Sequence, residues 1–400
     1  MSPDRYRSAL KHSHTPTEFA AREWLRYTRH IQLPGFGAEG QSRLKHSRVL
    51  VIGCGGLGSP LLLYLTAAGV GRLTLVDDDS VDLTNLQRQI LYTENDLGLR
   101  KAQAAARRLR ALNSDIEVVV VGESFGALDG GGANQLVRER ALVQAHDLVV
   151  DCTDNFAGRY LINDLCAEYG KPWVYASVFQ FSGQCALFQP GAGCFRCLFP
   201  ESPEGLPDCN SAGVLGAIPG LLGAIQANEV LKYLAGLPTP LAGNLLLVEA
   251  VDLEFRRVEL QRDPTCPICH PGDVDHRTTS VEPSQDPAGQ SMPEADAIEI
   301  SVAAFAHMAG EAFTLLDVRG DAERQAFHIG GEHLALAAIA EAQRYLPKSR
   351  PIICYCQSGQ RSLAAARLLS EAGYSARSLA GGLVAWLKYQ NAQECKINDK

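Results

Sequence analysis

Basic residues are not in excess in this chain, long apolar runs are missing, and cysteines are too few for a disulfide scaffold. The 37 Lys and Arg stand against 45 Asp and Glu, a net charge of −8. A general nucleic-acid binder would show a basic balance, so no nucleic acid is expected as a partner. The most apolar window, Val214 to Ala227, is interrupted by Gly216, Pro219, Gly220 and Gly223. It is too short to span a bilayer and reads as a buried helix or loop, so no membrane partner is expected. No N-terminal stretch has the basic-then-apolar form of a secretory signal, and a cytoplasmic protein is expected. Such a compartment keeps the 12 cysteines reduced, and clustered pairs there point to metal or catalysis. What is present is ordinary for a core-forming chain, 46% hydrophobic and 20% charged. The length of 400 residues favours two or three domains.

The stretch Val49 to Gly58 organises the first of them. An apolar, β-branched run, read as a buried parallel strand, enters a Gly-x-Gly-x-x-Gly turn at Gly53, Gly55 and Gly58, with Gly56 inside it. An apolar helix over Leu61 to Ala68 follows. The glycines let the chain turn tightly and a phosphate approach the backbone, and the helix N-terminus offers it unpaired N–H groups. A second strand, Leu73 to Val76, ends at Asp77, placed to read a ribose hydroxyl. The pattern predicts a nucleotide site and leaves the nucleotide open, with NAD the usual occupant of this fingerprint.

Further along, Asp78 to Gln89 is densely polar, and Lys101 opens a helix running to about Leu112. Strands are expected at Ile116 to Val121, Leu148 to Val150 and Trp173 to Ser177, with antiparallel strand material at Phe181 to Phe188 and Leu245 to Val258. Ligands collect outside the carboxyl ends of strands in open α/β sheets, where Asp154 and Asn155 fall. Gly126 to Gly132 reads as a flexible crossover, and the polar residues before about Phe19 as a mobile leader.

The cysteines sort into groups. Cys194-x-x-Cys197 and Cys266-x-x-Cys269 can each give two thiolates to one ion, which makes a closed structural Zn2+ clip. Cys54, Cys152, Cys166 and Cys185 lie in apolar elements and read as core. Cys209 sits alone in a polar loop. After a polar linker over 273–297 a second, smaller α/β unit is expected. It has a strand at Phe313 to Arg319, a largely helical Ala335 to Leu346, and a strand at Pro351 to Tyr355. That strand delivers Cys356-Gln-Ser-Gly-Gln-Arg361-Ser into a helix over Leu363 to Ala372. A cysteine in a loop of convergent N–H groups, at a helix N-terminus and beside an arginine, favours a thiolate or a persulfide. Cys354 is expected on the opposite face of the strand, in the core.

Taken together, residues 23–272 resemble the MoeB/ThiF branch of the ubiquitin-activating-enzyme superfamily. The resemblance rests on Arg26-Tyr-Thr-Arg29-His30, the glycine turn, Asn85-Leu-Gln-Arg88-Gln89, Lys101, Asp151-Cys-Thr-Asp154-Asn155 and the two cysteine pairs. Residues 298–392 resemble a rhodanese domain through Asp317-Val-Arg319, the Cys356 loop and Gly381 to Trp386, although Phe327 to His333 matches that family's turn only loosely. The fold implied is a Rossmann-like mixed sheet plus a smaller α/β domain, with residues 393–400 as a tail. The resemblance implies ATP with Mg2+ rather than NAD. A ubiquitin-like sulfur carrier of the MoaD/ThiS kind, ending in Gly-Gly, is adenylated at its carboxyl end. It then takes sulfur from a Cys356 persulfide charged by a donor such as thiosulfate or a cysteine desulfurase. Lys101 and Arg88 would hold the triphosphate, Asp154 the Mg2+, Asp77 the ribose, and Asp79, Asn85 and Asn155 would lie near the nucleotide. Arg29 would reach the triphosphate in the second subunit of a homodimer, Arg361 would serve the Cys356 loop, and Cys209 holds the conjugating-cysteine position. Rival expectations are an NAD-linked oxidoreductase and a non-catalytic scaffold for sulfur-relay partners.

Overall fold

The computed structural model describes residues 19–126, 132–201, 213–269, 298–308, 313–342 and 346–398. Most of the expected leader, all but the ends of the glycine-rich crossover, Cys209 and the linker lie outside these residues. The chain divides into two units between His276 and Arg277.

The first unit opens with α1 (Ala21–Ile31) and α2 (Gly37–His46), followed by β1 (Arg48–Ile52), α3 (Gly58–Ala68) and β2 (Arg72–Val76). Next come α4 (Lys101–Leu112), β3 (Glu117–Val121), α5 (Gly132–Ala145), β4 (Leu148–Asp151), α6 (Phe156–Glu168) and β5 (Trp173–Phe179). The unit closes with β6 (Ser182–Phe188), α7 (Phe195–Leu198), α8 (Ala217–Ala235), β7 (Asn244–Glu249) and β8 (Glu254–Glu259). The sheet has eight strands in the order β3-β2-β1-β4-β5-β6-β7-β8. Pairing is parallel from β3 through β5 and antiparallel from β5 through β8.

The parallel strands are apolar on both faces because helices cover both. Val49 and Val51 face one core with Leu61, Leu65, Ala105 and Leu222, while Leu50 and Ile52 face the other with Val143, Ile162 and Leu165. The four cysteines read as core, Cys54, Cys152, Cys166 and Cys185, are all buried. The apolar window that begins at Val214 becomes α8, which packs Leu222, Ala227 and Val230 into the first core. Among the described residues no helix is long and apolar enough to cross a membrane. The segment read as one run of strand material from Leu245 to Val258 is a hairpin of two strands, and every residue of β8 is exposed.

The second unit contains β9 (Glu299–Ile300), α9 (Val302–His307), β10 (Thr314–Asp317), α10 (Asp321–Ala326) and β11 (Glu332–His333). After these come α11 (Ile339–Ala342), β12 (Ile352–Tyr355), α12 (Gln360–Glu371), β13 (Ala376–Leu379) and α13 (Gly382–Asn398). Its five strands are all parallel in the order β11-β10-β12-β13-β9. The span read as largely helical from Ala335 to Leu346 holds a 3-10 turn at Leu336–Ala338 that leads directly into α11, and residues 343–345 lie outside the described ones. One expectation is corrected here. Cys354 is core, but on the same face as Cys356: both pack with Leu316, Ile352 and Leu369, whereas Ile353 and Tyr355 face the other way. Strand alternation sends residues two apart to one side, which is the physical reason.

Candidate active site

β1 lies between β2 and β4, so the chain leaves β1 toward one edge of the sheet and returns on its other side. Such a reversal opens a crevice at the carboxyl ends of the strands. A cleft of about 730 Å3 occupies it. Gly53, Gly55 and Gly56 line the cleft after β1, Asp77 and Asp79 after β2, Asn85, Arg88 and Gln89 from the polar segment, Lys101 from the start of α4, and Asp154 and Asn155 after β4.

The glycine turn is dictated by crowding. Gly53 has φ +95°, and a side chain there would stand 2.6 Å from the Cys152 carbonyl. Gly58 does not line the cleft. A Cβ on it would meet the Gly53 carbonyl at 2.3 Å, so its part is to let α3 close on the turn. Asp77 holds the turn from the side. Its Oδ2 accepts the Cys54 N–H at 2.7 Å and its Oδ1 the Asp79 N–H at 3.0 Å. Burial pushes its carboxyl above the usual range, opposed by the Cys54 N–H and by Lys101. The Lys101 Nζ, almost wholly buried, lies 2.7 Å from Asp79 Oδ2. The Arg88 guanidinium donates to the Thr84 carbonyl at 3.1 Å.

Asp154 is exposed at the cleft, whereas the side-chain oxygen of its neighbour Asn155 accepts the Gly158 N–H at 2.7 Å. That oxygen caps α6 and is already occupied, a role that an Asn immediately before a helix signals from sequence. Arg29 is exposed on α1 and does not line the cleft. Sequence reasoning missed what fixes the β4 end. Arg159, four residues past Asn155, faces Asp151 at 3.4 Å, with side chains 7% and 0% exposed. It also donates to the Thr153 carbonyl at 2.9 Å. Burial raises the Asp151 carboxyl and Arg159 opposes that shift. The pair holds the loop that presents Asp154.

The two cysteine pairs meet. Cys194, Cys197, Cys266 and Cys269 place their sulfurs within 4.8 Å of one another, with Sγ separations of 3.6 Å for Cys194–Cys266 and 3.4 Å for Cys197–Cys269. A tetrahedral Zn2+ with bonds of about 2.3 Å requires edges of roughly 3.8 Å, so the four thiols suit that ion. The first pair is seated by α6: the Phe195 N–H donates to Asn163 Oδ1 at 2.9 Å, and Arg196 binds Asp164 at 2.6 and 2.8 Å. The Phe195 ring is buried among Tyr160, Trp173, Tyr175 and Phe188.

In the second unit β12 delivers Cys356 into a loop that curls back over it. Its Sγ accepts the N–H groups of Gly359 at 3.2 Å and Ser362 at 3.3 Å. Arg361 is not aimed at sulfur alone: Glu323, from α10, grips its guanidinium through two bonds of 2.7 and 2.8 Å. That pairing, the largest cause, lowers the Glu323 carboxyl and raises Arg361. Buried Cys354, by contrast, has its thiol pushed up to about 12 by desolvation and then by Cys356. Asp317 and Arg319 form a buried bidentate pair, and Arg319 reaches Gln357 in the loop at 3.5 Å.

Comparison with known proteins bears on both units. The ThiF family model matches residues 27–268 and the rhodanese-like domain model residues 301–389. The SAMP-activating enzyme E1 of Haloferax volcanii is 44% identical over 252 residues, which cover 62% of this chain and 90% of that protein. The probable adenylyltransferase/sulfurtransferase MoeZ of Mycobacterium tuberculosis is 37% identical over 386 residues, 93% of this chain and 95% of its own length. The adenylyltransferase and sulfurtransferase MOCS3 of Sus scrofa is 38% identical over 400 residues, covering 91% and 85%. Among solved structures, E. coli MccB bound to MccA-N7isoASN superposes with a TM-score of 0.54 at 22% identity, over 64% of this chain and 76% of that one. At that identity the likeness is one of fold.

Proposed function

The chain belongs to the ThiF family and carries a rhodanese-like domain after it, and from that premise we propose how its residues divide the work of adenylyl and sulfur transfer. The carboxyl end of a ubiquitin-like sulfur carrier attacks the α-phosphorus of ATP in the cleft of the first unit. Pyrophosphate leaves, and a mixed anhydride of carrier and AMP results. A persulfide on Cys356 then attacks the acyl carbon and AMP departs. Reduction of the resulting acyl disulfide by a thiol frees the carrier as a thiocarboxylate.

One observation carries the reading: a single crevice gathers the glycine turn, the cations Lys101, Arg88 and Arg159, and the exposed Asp154. Lys101 and Arg88 neutralise the triphosphate, and Lys101 would exchange Asp79 for it. Preorganised charges of this kind contribute where charge develops in the transition state. Asp77 takes the ribose, and Asp79 and Asn85 flank the nucleotide. Asp154, exposed at the cleft mouth, would hold Mg2+, which screens the phosphates. Asn155 contributes through its amide N–H2 and through the helix it caps.

Zn2+ would be held by Cys194, Cys197, Cys266 and Cys269, with no position left open, as a clip between the crossover after β6 and the segment after β8. Arg29, exposed on α1, would complete the site of the second subunit of a homodimer. In the second unit the Gly359 and Ser362 N–H groups hold the sulfur anion, and Arg361 closes the loop. Thiosulfate or a protein persulfide is the donor. Cys209 is the candidate for a covalent link to the carrier. The deciding experiment is exchange of labelled pyrophosphate into ATP by the purified protein with a Gly-Gly-ended carrier. Exchange that requires the carrier is expected, and tight nicotinamide binding without exchange would overturn the reading.

A further inference from the structure

The Cys356 loop is backed by one segment of the chain, Ser378 to Val384, which runs from the end of β13 into the first turn of α13. The Leu383 N–H donates to the Cys356 carbonyl at 2.8 Å and the Val384 N–H to the Gln357 carbonyl at 3.1 Å. A Cβ on Gly382 would stand 2.7 Å from the Gly359 nitrogen, so the segment lies flush against the loop. Its first residue, Ser378, is wholly buried, and so is Ser362 in the first turn of α12. Their hydroxyl oxygens are 2.9 Å apart, and that of Ser362 is 3.0 Å from the Gly359 carbonyl. Ser378 Oγ is farther from the same carbonyl, at 3.4 Å.

A carbonyl oxygen has two lone pairs. At Gly359 one takes the Leu363 N–H at 2.9 Å, the first bond of α12, and the other takes the Ser362 hydroxyl. The Ser378 hydrogen then goes to the nearer Ser362 oxygen, and the two hydroxyls form a chain that ends on Gly359. Each donor in such a chain polarises the next. Gly359, in the left-handed region at φ +98°, gives its N–H to the Cys356 sulfur at 3.2 Å. Ser362, the middle link, gives its own N–H to that sulfur at 3.3 Å. Both N–H groups on the sulfur therefore belong to residues that the hydroxyl chain fastens. Ser378 itself sits on β13 opposite Cys354, in a core that a methyl group would fill as well. A hydroxyl buried there is unfavourable unless it is hydrogen-bonded, and its bond leads to the sulfur.

We propose that Ser378 is a positioning residue for sulfur transfer, which acts through Ser362 to keep the Gly359 and Ser362 N–H groups aimed at the Cys356 sulfur. This rests on the reading of Cys356 as the residue that carries sulfur. Hydrogen bonds to an anion favour it, and donors fixed in advance need no rearrangement when the charge is used. Without the Ser378 hydroxyl the Ser362 side chain is free to turn, the N–H pair loosens, and loading of the sulfur slows. Binding of the donor is unaffected, because Ser378 is closed off from solvent.

The test uses the full-length protein and thiosulfate in a single turnover, followed by intact mass. The Cys356 thiolate attacks the outer sulfur of thiosulfate, the S–S bond breaks, and sulfite leaves with its electron pair, so that Cys356 is left as a persulfide. Ser378→Ala is expected to load about 5- to 20-fold more slowly at saturating thiosulfate, less than the loss of a donor that touches the charge itself, with the half-saturating concentration within about twofold. Ser362→Ala should slow by a similar factor and the double variant no further, because residues that act through one another are not additive. Ser378→Thr keeps the hydroxyl and Ser378→Val has the same shape without it. Thr is expected to load faster than Val by the same factor, and this pair decides the outcome should Ser378→Ala not fold. Equal rates for Thr and Val, additive losses in the double variant, or a lower melting temperature with wild-type loading would each overturn the proposal. A wild type that takes no sulfur on Cys356 would overturn the sulfur-carrying reading itself, whereas wild-type loading that none of these variants alters would sink the Ser378 assignment alone.

Discussion

The two units share one device, a parallel strand that runs through a tight loop into a helix N-terminus. In the first, β1 ends in glycines and the loop opens onto a cleft of about 730 Å3, room for a diffusible nucleotide. In the second, β12 runs into Cys356 and the loop closes until two N–H groups point at its own sulfur. Gly359, at φ +98°, supplies the left-handed turn that closure needs, and a side chain there would stand 2.9 Å from the Gly381 nitrogen. The cations differ in the same sense. Lys101 is paired with a largely exposed acid, a partner that a triphosphate can displace, while Arg361 is gripped through two bonds from Glu323. An open cradle with exchangeable charge suits a substrate that comes and goes; a closed one with fixed charge suits an anion bonded to the chain.

Four experiments would break or sharpen this contrast. The largest effect is expected for Cys356→Ala, which should abolish persulfide formation, read by intact mass after thiosulfate treatment, and leave carrier-dependent pyrophosphate exchange within about twofold. A persulfide still found on that variant would move the sulfur site elsewhere. Next, Lys101→Met and Asp154→Asn should each lower pyrophosphate exchange by roughly 10²- to 10³-fold, the cost of removing one preorganised charge. Circular dichroism should be unchanged and Cys356 should still load with sulfur, and a folded Asp154→Asn enzyme with full exchange would remove that acid from the site.

A smaller effect, on stability, separates the units in another way. Cys266→Ser, or chelation of metal, should lower the melting temperature of the first unit by roughly 10 °C or more, because structural zinc contributes folding energy directly. Melting of the second unit should stay where it was. Identical melting of parent and variant would show that the four thiols hold no ion that matters for folding.

The least effect is expected from the Glu323–Arg361 pair. Its carboxyl titrates lower when folded, so its stabilisation is fully present above the ordinary glutamate range and is lost as pH falls through that range to the lower folded value. Side chains 38% and 28% exposed limit the pair to about 0.5–1 kcal/mol. Glu323→Gln should therefore melt a few degrees lower at pH 7 and show a flatter acid limb, and an unchanged acid limb would count against the pair.

How much of this was legible in the chain depends on how local the signal is. The strand, glycine turn, helix and Asp77 lie within about thirty consecutive residues, so periodicity and turn chemistry reveal them together. The same holds for β12 and the Cys356 loop. Cys-x-x-Cys spacing announces a half-site, and two half-sites in one chain announce a whole. Other features were hidden. Glu323 and Arg361 are 38 positions apart, and nothing in either segment names the other. Arg159 looks like any helical arginine until the packing of α6 on β4 seals it against Asp151. The Cys354 orientation was readable from alternation, since its side chain lies two residues from Cys356, and the expectation of opposite faces misapplied that period.

The chain alone determined which local devices were available and in what order: a glycine turn between strand and helix, two Cys-x-x-Cys half-sites and a cysteine ahead of a helix are each written in neighbouring residues whose backbone demands are local. Tertiary structure alone decided which charges are spent and which are free. Glu323 claims Arg361, Asn155 spends its oxygen on a helix end, and the buried Gln89 amide oxygen finds no donor among the described residues. The reason is that a polar group's state depends on what the fold brings within about 3 Å of it, and those neighbours come from segments that carry no record of one another.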